Sequence, residues 1–92
     1  MQITLMMRPG DEPMTWDDFR SRTGPFAVAL DGYVKDGPRY DPSAPCINFN
    51  HHENVERLAT RATCAQALIA LRLGLFLRFR DQNGPRADVY VN

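Results

Sequence analysis

Phe26-Ala27-Val28-Ala29-Leu30 is an unbroken apolar run, opened by Gly24-Pro25 and closed by Asp31-Gly32. A half-exposed strand alternates polar and apolar residues. A short continuous apolar run between turn residues reads instead as a strand covered on both faces. Strands of that kind belong to parallel sheets with helices on either side. The surrounding chain is therefore expected to be a small α/β domain, with a mostly parallel sheet of about four strands and two or three helices.

Upstream, Gln2 to Arg8 is apolar enough for a strand, and Pro9-Gly10, Asp11 and Pro13 end it. Thr15-Trp16-Asp17-Asp18 has the features of a helix start, with a threonine cap and an acidic first turn. Trp16, Phe19 and Met14 are placed to cover one side of the sheet. Downstream, Lys35 to Pro45 carries three prolines and reads as a loop. Cys46-Ile47-Asn48-Phe49-Asn50 alternates as a strand does and runs directly into His51-His52-Glu53. Asn54 to Thr60 is a polar connection, with one helical turn carried by Val55 and Leu58.

Thr63-Cys64-Ala65-Gln66 fits a capping box. Cys64, Leu68, Leu71 and Leu75 follow at helical spacing, and Ile69, Leu73 and Phe76 widen the apolar surface. This helix is expected to be the most buried, wedged against the sheet or a second subunit. Gly74 is its C-cap, Leu75 to Arg80 form a further short helix, and Asp81 to Arg86 turn the chain. Ala87 to Asn92 is a last strand, either paired within the sheet or continuing into a longer polypeptide.

The length of 92 residues suits one domain, 1–92, with a small core or an oligomer. A formal net charge of zero argues against an electrostatic nucleic-acid binder. Ten of the eleven basic residues are arginines, with Lys35 the exception. Cys46 and Cys64 are too far apart for a CxxC site and read as reduced thiols. No apolar run is long enough for a membrane span and no signal peptide is evident, so the expected location is cytoplasmic.

Both histidines of the chain stand side by side, with Glu53 next. Neutral imidazoles are first-choice ligands for divalent transition metals, and a carboxylate adds charge. Successive residues on a strand point to opposite faces, so two adjacent histidines meet one ion only where the strand has ended. The geometry favours His51 as ligand and His52 as partner to a substrate anion or general acid. Asp31, beyond the carboxyl end of its strand, lies where open α/β sheets collect binding residues. The helix start at Thr63 offers free N–H groups to an anion, with Arg61 or Arg57 as added cation. The plainer alternative is a pair of surface or capping histidines, with Glu53 and Glu56 solvated and with Tyr33 and Tyr40 as loop packing residues.

From Leu30 to Leu68 the order of signals resembles the DHH phosphoesterase superfamily: Asp31-Gly32 after a strand, Tyr40-Asp41-Pro42, a strand into His51-His52, then the helix start around Thr63. The resemblance implies a metal-dependent phosphoesterase, or a fragment of one, acting on a phosphate ester or nucleic-acid end with a divalent ion, Mn²⁺ favoured. Asp31 and His51 would be metal ligands and His52 catalytic, with Arg61, from its place near the helix start, assigned as the catalytic cation. Asn50 stands where the family motif has its aspartate, and the family's Asp-x-Asp motif is not in this chain. Two rival readings are a non-catalytic domain that forms homo-oligomers or binds a partner through Thr63 to Phe76, and a metal-free anion pocket at the same helix start.

Overall fold

The computed structural model describes residues 1–92. Its elements are β1 (Gln2–Met7), α1 (Trp16–Arg22), β2 (Ala27–Leu30), β3 (Arg39–Asp41), β4 (Cys46–Phe49), α2 (Thr63–Arg72), α3 (Leu75–Arg78), β5 (Arg80–Asp81) and β6 (Gly84–Val91). The main sheet has the order β1-β6-β2-β4-β3, and β5 folds back on β6 as a hairpin. The pairs β1–β6, β6–β2 and β2–β4 are parallel, whereas β3–β4 and β5–β6 are antiparallel. The fold is thus a small, mostly parallel α/β sheet of six strands with three helices. No helix is long and apolar enough to cross a membrane.

β2 sits at the centre and, as its unbroken apolar run requires, is packed on both faces. Ala27 and Ala29 meet Trp16 and Phe19 of α1, together with Tyr33, Val34 and Cys46. Val28 on the opposite face meets Phe49, Phe79 and Ala87, with Ala67, Ala70, Leu75 and Phe76 of α2 and α3 packed alongside. The β1–α1–β2 and β4–α2–β6 crossovers travel in opposite directions along the sheet and use opposite faces. They therefore have the same hand, as the preference for one crossover hand demands.

The first helix starts as its sequence suggests. The Thr15 hydroxyl accepts the Asp18 N–H at 3.1 Å, and Asp17 and Asp18 lie at the positive end of the helix. Burial and a hydrogen bond to Asp11 push the Tyr33 phenol up to about 12, so it stays neutral near pH 7 and serves packing, in line with the sequence reading.

Three details depart from the sequence reading. The Lys35–Pro45 loop contains the three-residue edge strand β3, flanked by prolines that the missing N–H confines to such an edge. Phe26 is not part of β2: at φ 71° it turns out of the strand to meet Phe79 edge-on, with ring centroids 6.1 Å apart. Its backbone stays paired, donating to Pro45 and accepting from Asp88. Leu58 is almost wholly exposed and anchors no packed turn.

The largest difference is α2, which contains no buried residue. It lays the small side chains of Ala67 and Ala70 against the sheet, while Cys64, Leu68 and Leu71 face outward. A helix apolar on nearly every side does not declare its inner face, and the alanines win because they let the helix axis approach β4. Gly74, at φ 96°, then makes the sharp step into α3.

Candidate metal centre

The site begins with the turn after β2. Asp31 (φ 54°) and Gly32 (φ 100°) are both left-handed, and the Tyr33 N–H closes the turn on the Leu30 carbonyl at 3.2 Å. Aspartate followed by glycine is among the few pairs that accept this backbone cheaply. The turn sends Tyr33 and Val34 into the core beside α1 and leaves the Asp31 carboxylate at the strand end. The neighbouring β4 departs toward the other face, to α2. Divergence of adjacent strands to opposite faces opens a crevice at their carboxyl ends.

Asn50 fixes the turn after β4. Its side chain is fully buried. Nδ2 donates to the carbonyls of Asp36 at 2.9 Å and Val34 at 3.4 Å, while Oδ1 accepts the His52 N–H at 3.1 Å. Its main chain is gripped by Gln66 on α2: Oε1 accepts the Asn50 N–H at 3.1 Å, and Nε2 donates to the Asn50 carbonyl at 2.9 Å and the Arg61 carbonyl at 2.7 Å. Asn48, two residues earlier, donates to the Asp36 and Gly37 carbonyls.

This network gives Asn50 a structural role and revises one expectation. The amide of Asn50 does what an aspartate could not, because a carboxylate has no N–H for two buried carbonyls. The capping box at Thr63 does not form. The Ala62 carbonyl already accepts the Gln66 N–H at 3.0 Å, so Ala62 is the N-cap and Thr63 the first helical residue. Thr63 turns its hydroxyl to Asp31, and the Gln66 amide is spent on Asn50 and Arg61. The pattern Thr-x-x-Gln was legible; its use as an inter-element clamp had no local signal. Gln66→Ala is expected to cost about 2 kcal/mol, since it strips partners from three backbone groups. Chemical denaturation followed by circular dichroism measures it, and a midpoint equal to that of the parent would refute the clamp.

With β4 ended at Phe49, the two imidazoles turn to the same side. Their ring centroids lie 4.1 Å apart at an interplanar angle of 66°. Asp31 Oδ1 lies 2.8 Å from His52 Nε2 and 3.5 Å from His51 Nε2, and it accepts the Thr63 hydroxyl at 3.1 Å. One carboxylate oxygen thus gathers three side chains from two other segments. Asp31, His51 and His52 each offer a ligand atom, all within 4.8 Å of one another.

The donor set suits a divalent ion. Ligands held about 2.1 Å from one metal stand roughly 3.0–3.5 Å apart, so the three donors, spread over as much as 4.8 Å, would have to draw together by about an ångström to share one ion. Two imidazoles and one carboxylate suit Zn²⁺ or Mn²⁺, and three protein ligands leave positions open. Beside the group lies a depression of about 470 Å³, bordered by Asp31, His51 and Thr63 and walled by Leu30, Ala67 and Val91. The first turn of α2 carries no side-chain cap, so its N–H groups are free for an anion. Arg61 lies apart from this depression and lines a separate cleft with Tyr40, Ile47 and Ile69. Cys46 is buried on β4 and Cys64 exposed on α2, both as free thiols.

No family model, curated protein or solved structure matches the chain.

Proposed function

We propose that the chain is a DHH-like, metal-dependent phosphoesterase domain, or the part of one that carries the histidine pair. The observation that carries this reading is the convergence of Asp31, His51, His52 and Thr63 at the carboxyl ends of β2 and β4. Asp31 and His51 are the proposed ligands of a divalent ion, Mn²⁺ favoured, with His52 within reach as a third. The ion supplies Lewis-acid chemistry, activating water and neutralising phosphoryl charge. The uncapped first turn of α2 and the Thr63 hydroxyl orient a phosphate ester over the apolar depression. In the roles assigned, His52 donates a proton or a hydrogen bond to the ester, while the Asn50 and Gln66 network holds both rings in place. The proposed substrate is a phosphate-ester small molecule or a nucleic-acid end.

A thermal-shift titration with Mn²⁺ tests the reading. An ion at a hundredfold excess over its Kd stabilises the fold by about 2.7 kcal/mol, and His51→Ala should abolish that shift. Asp31→Asn should reduce it and is preferable to alanine there, because asparagine tolerates the left-handed backbone. If the shift is absent from the parent, or survives both substitutions, the proposal fails. Hydrolysis of p-nitrophenyl phosphate mono- and diesters by the loaded protein then tests turnover.

A further inference from the structure

The helix that turns its leucines outward leaves one side of the sheet uncovered. Along β1, Ile3, Leu5 and Met7 point to the α2 face and remain 58, 58 and 55 % exposed. Leu68 and Leu71 of α2 are 51 and 48 % exposed. Between β1 and the helices runs a groove of about 380 Å³, and all eleven residues lining it are apolar, with Ile3 and Leu71 on its opposite sides. Of the ten exposed large apolar side chains of the chain, Met1, Ile3, Leu5, Met7, Leu68 and Leu71 belong to this one face.

We infer that this face is the interface of a twofold dimer, with a second copy of the same chain as its occupant. Three observations select that occupant. The groove offers no polar or charged group, so what fills it must be apolar. The chain carries such knobs on the groove's own rim, and a surface holding both groove and knobs is self-complementary about a twofold axis. The area is also sufficient. Half-uncovered side chains of this size show roughly 100 Å² each, so the six present on the order of 600 Å², the upper end for a monomer's largest apolar patch. With the groove floor added, the face approaches the ~800 Å² per partner of a standard interface. A net charge of zero adds no repulsion between copies.

The test is the mass of the 92-residue chain by sedimentation and light scattering, from micromolar to near-millimolar concentration under reducing conditions. The expected result is a dimer of 10.5 kDa protomers. Leu5→Lys should weaken it at least ~100-fold by placing an unpaired charge in an apolar contact. Leu71→Glu, across the groove, does the same if Leu5→Lys fails to fold, and circular dichroism checks both. Leu73→Lys, on the shoulder of α2 outside the groove, leaves the dimer intact. A monomer throughout, a dimer indifferent to both Leu5→Lys and Leu71→Glu, growth into open-ended species, or dissociation by Leu73→Lys would each overturn the inference. A monomer would also mark the face as seating some other apolar segment.

Discussion

Asn50→Asp is expected to lower stability by roughly 4 kcal/mol, although it changes one heavy atom and places the aspartate of the DHH motif in the chain. The Asn50 side chain is fully buried and its Nδ2 donates to two backbone carbonyls. An ionised carboxylate loses both bonds and sets a negative oxygen against those carbonyls, in a site too dry to screen it. Leaving buried acceptors unpaired costs about 1–3 kcal/mol, and burying an uncompensated charge adds several more. A 92-residue domain has on the order of 5–14 kcal/mol in total, so the variant would sit near the edge of folding. Denaturant unfolding measures the loss. The family resemblance alone gives the opposite expectation, a tighter metal site. A variant as stable as the parent that binds Mn²⁺ more tightly would show that position 50 is a ligand and not a clamp.

Phe19→Ala should be comparably severe. Phe19 is fully buried on α1, with ring centroids 6.1 Å from Trp16, 6.1 Å from Tyr33 and 5.6 Å from Tyr90, the last two edge-on. It joins the helix, the sheet and the segment after the Asp31-Gly32 turn in one cluster. Truncating a buried phenylalanine costs about 3–5 kcal/mol. At roughly 4–8 °C per kcal/mol for a domain of this size, the melting temperature falls by about 12–40 °C, or folding fails. Tyr33 loses a neighbour in the same step, so the placement of Asp31 suffers along with the core. A fall of only a few degrees would mean that the α1 face is not the main core. Leu58→Ala, at an almost wholly exposed position, should change little and serves as the contrast.

The two substitutions also show how unevenly the site was legible. The histidine pair and the aspartate after β2 stand out because their chemistry lies in residue type and in position at a strand end. Phe19 follows from its place beside Trp16 in a capped helix. The clamp does not follow from anything local. Asn50 bonds to Val34 and Asp36, and Gln66 to Asn50, across separations of 14 to 16 residues. A polar asparagine beside a histidine pair and a Thr-x-x-Gln helix start each have an obvious local reading, and in both cases the long-range partner overrides it.

What the sequence by itself determined is what short-range physics determines. The apolar run of β2 must be covered on both faces, Asp31-Gly32 must turn, Thr15 caps a helix, Gly74 ends one, and the chain between prolines and glycines forms strands. Tertiary structure alone decided the rest. It placed β6 between β1 and β2, made three residues of the proline-rich loop into an edge strand, and chose alanines over leucines for the inner face of α2. It also brought Asp31, His51, His52 and Thr63 onto one oxygen. Those outcomes depend on which surfaces fit when distant segments pack together, and a periodicity that is apolar on every side carries no information about which side that will be.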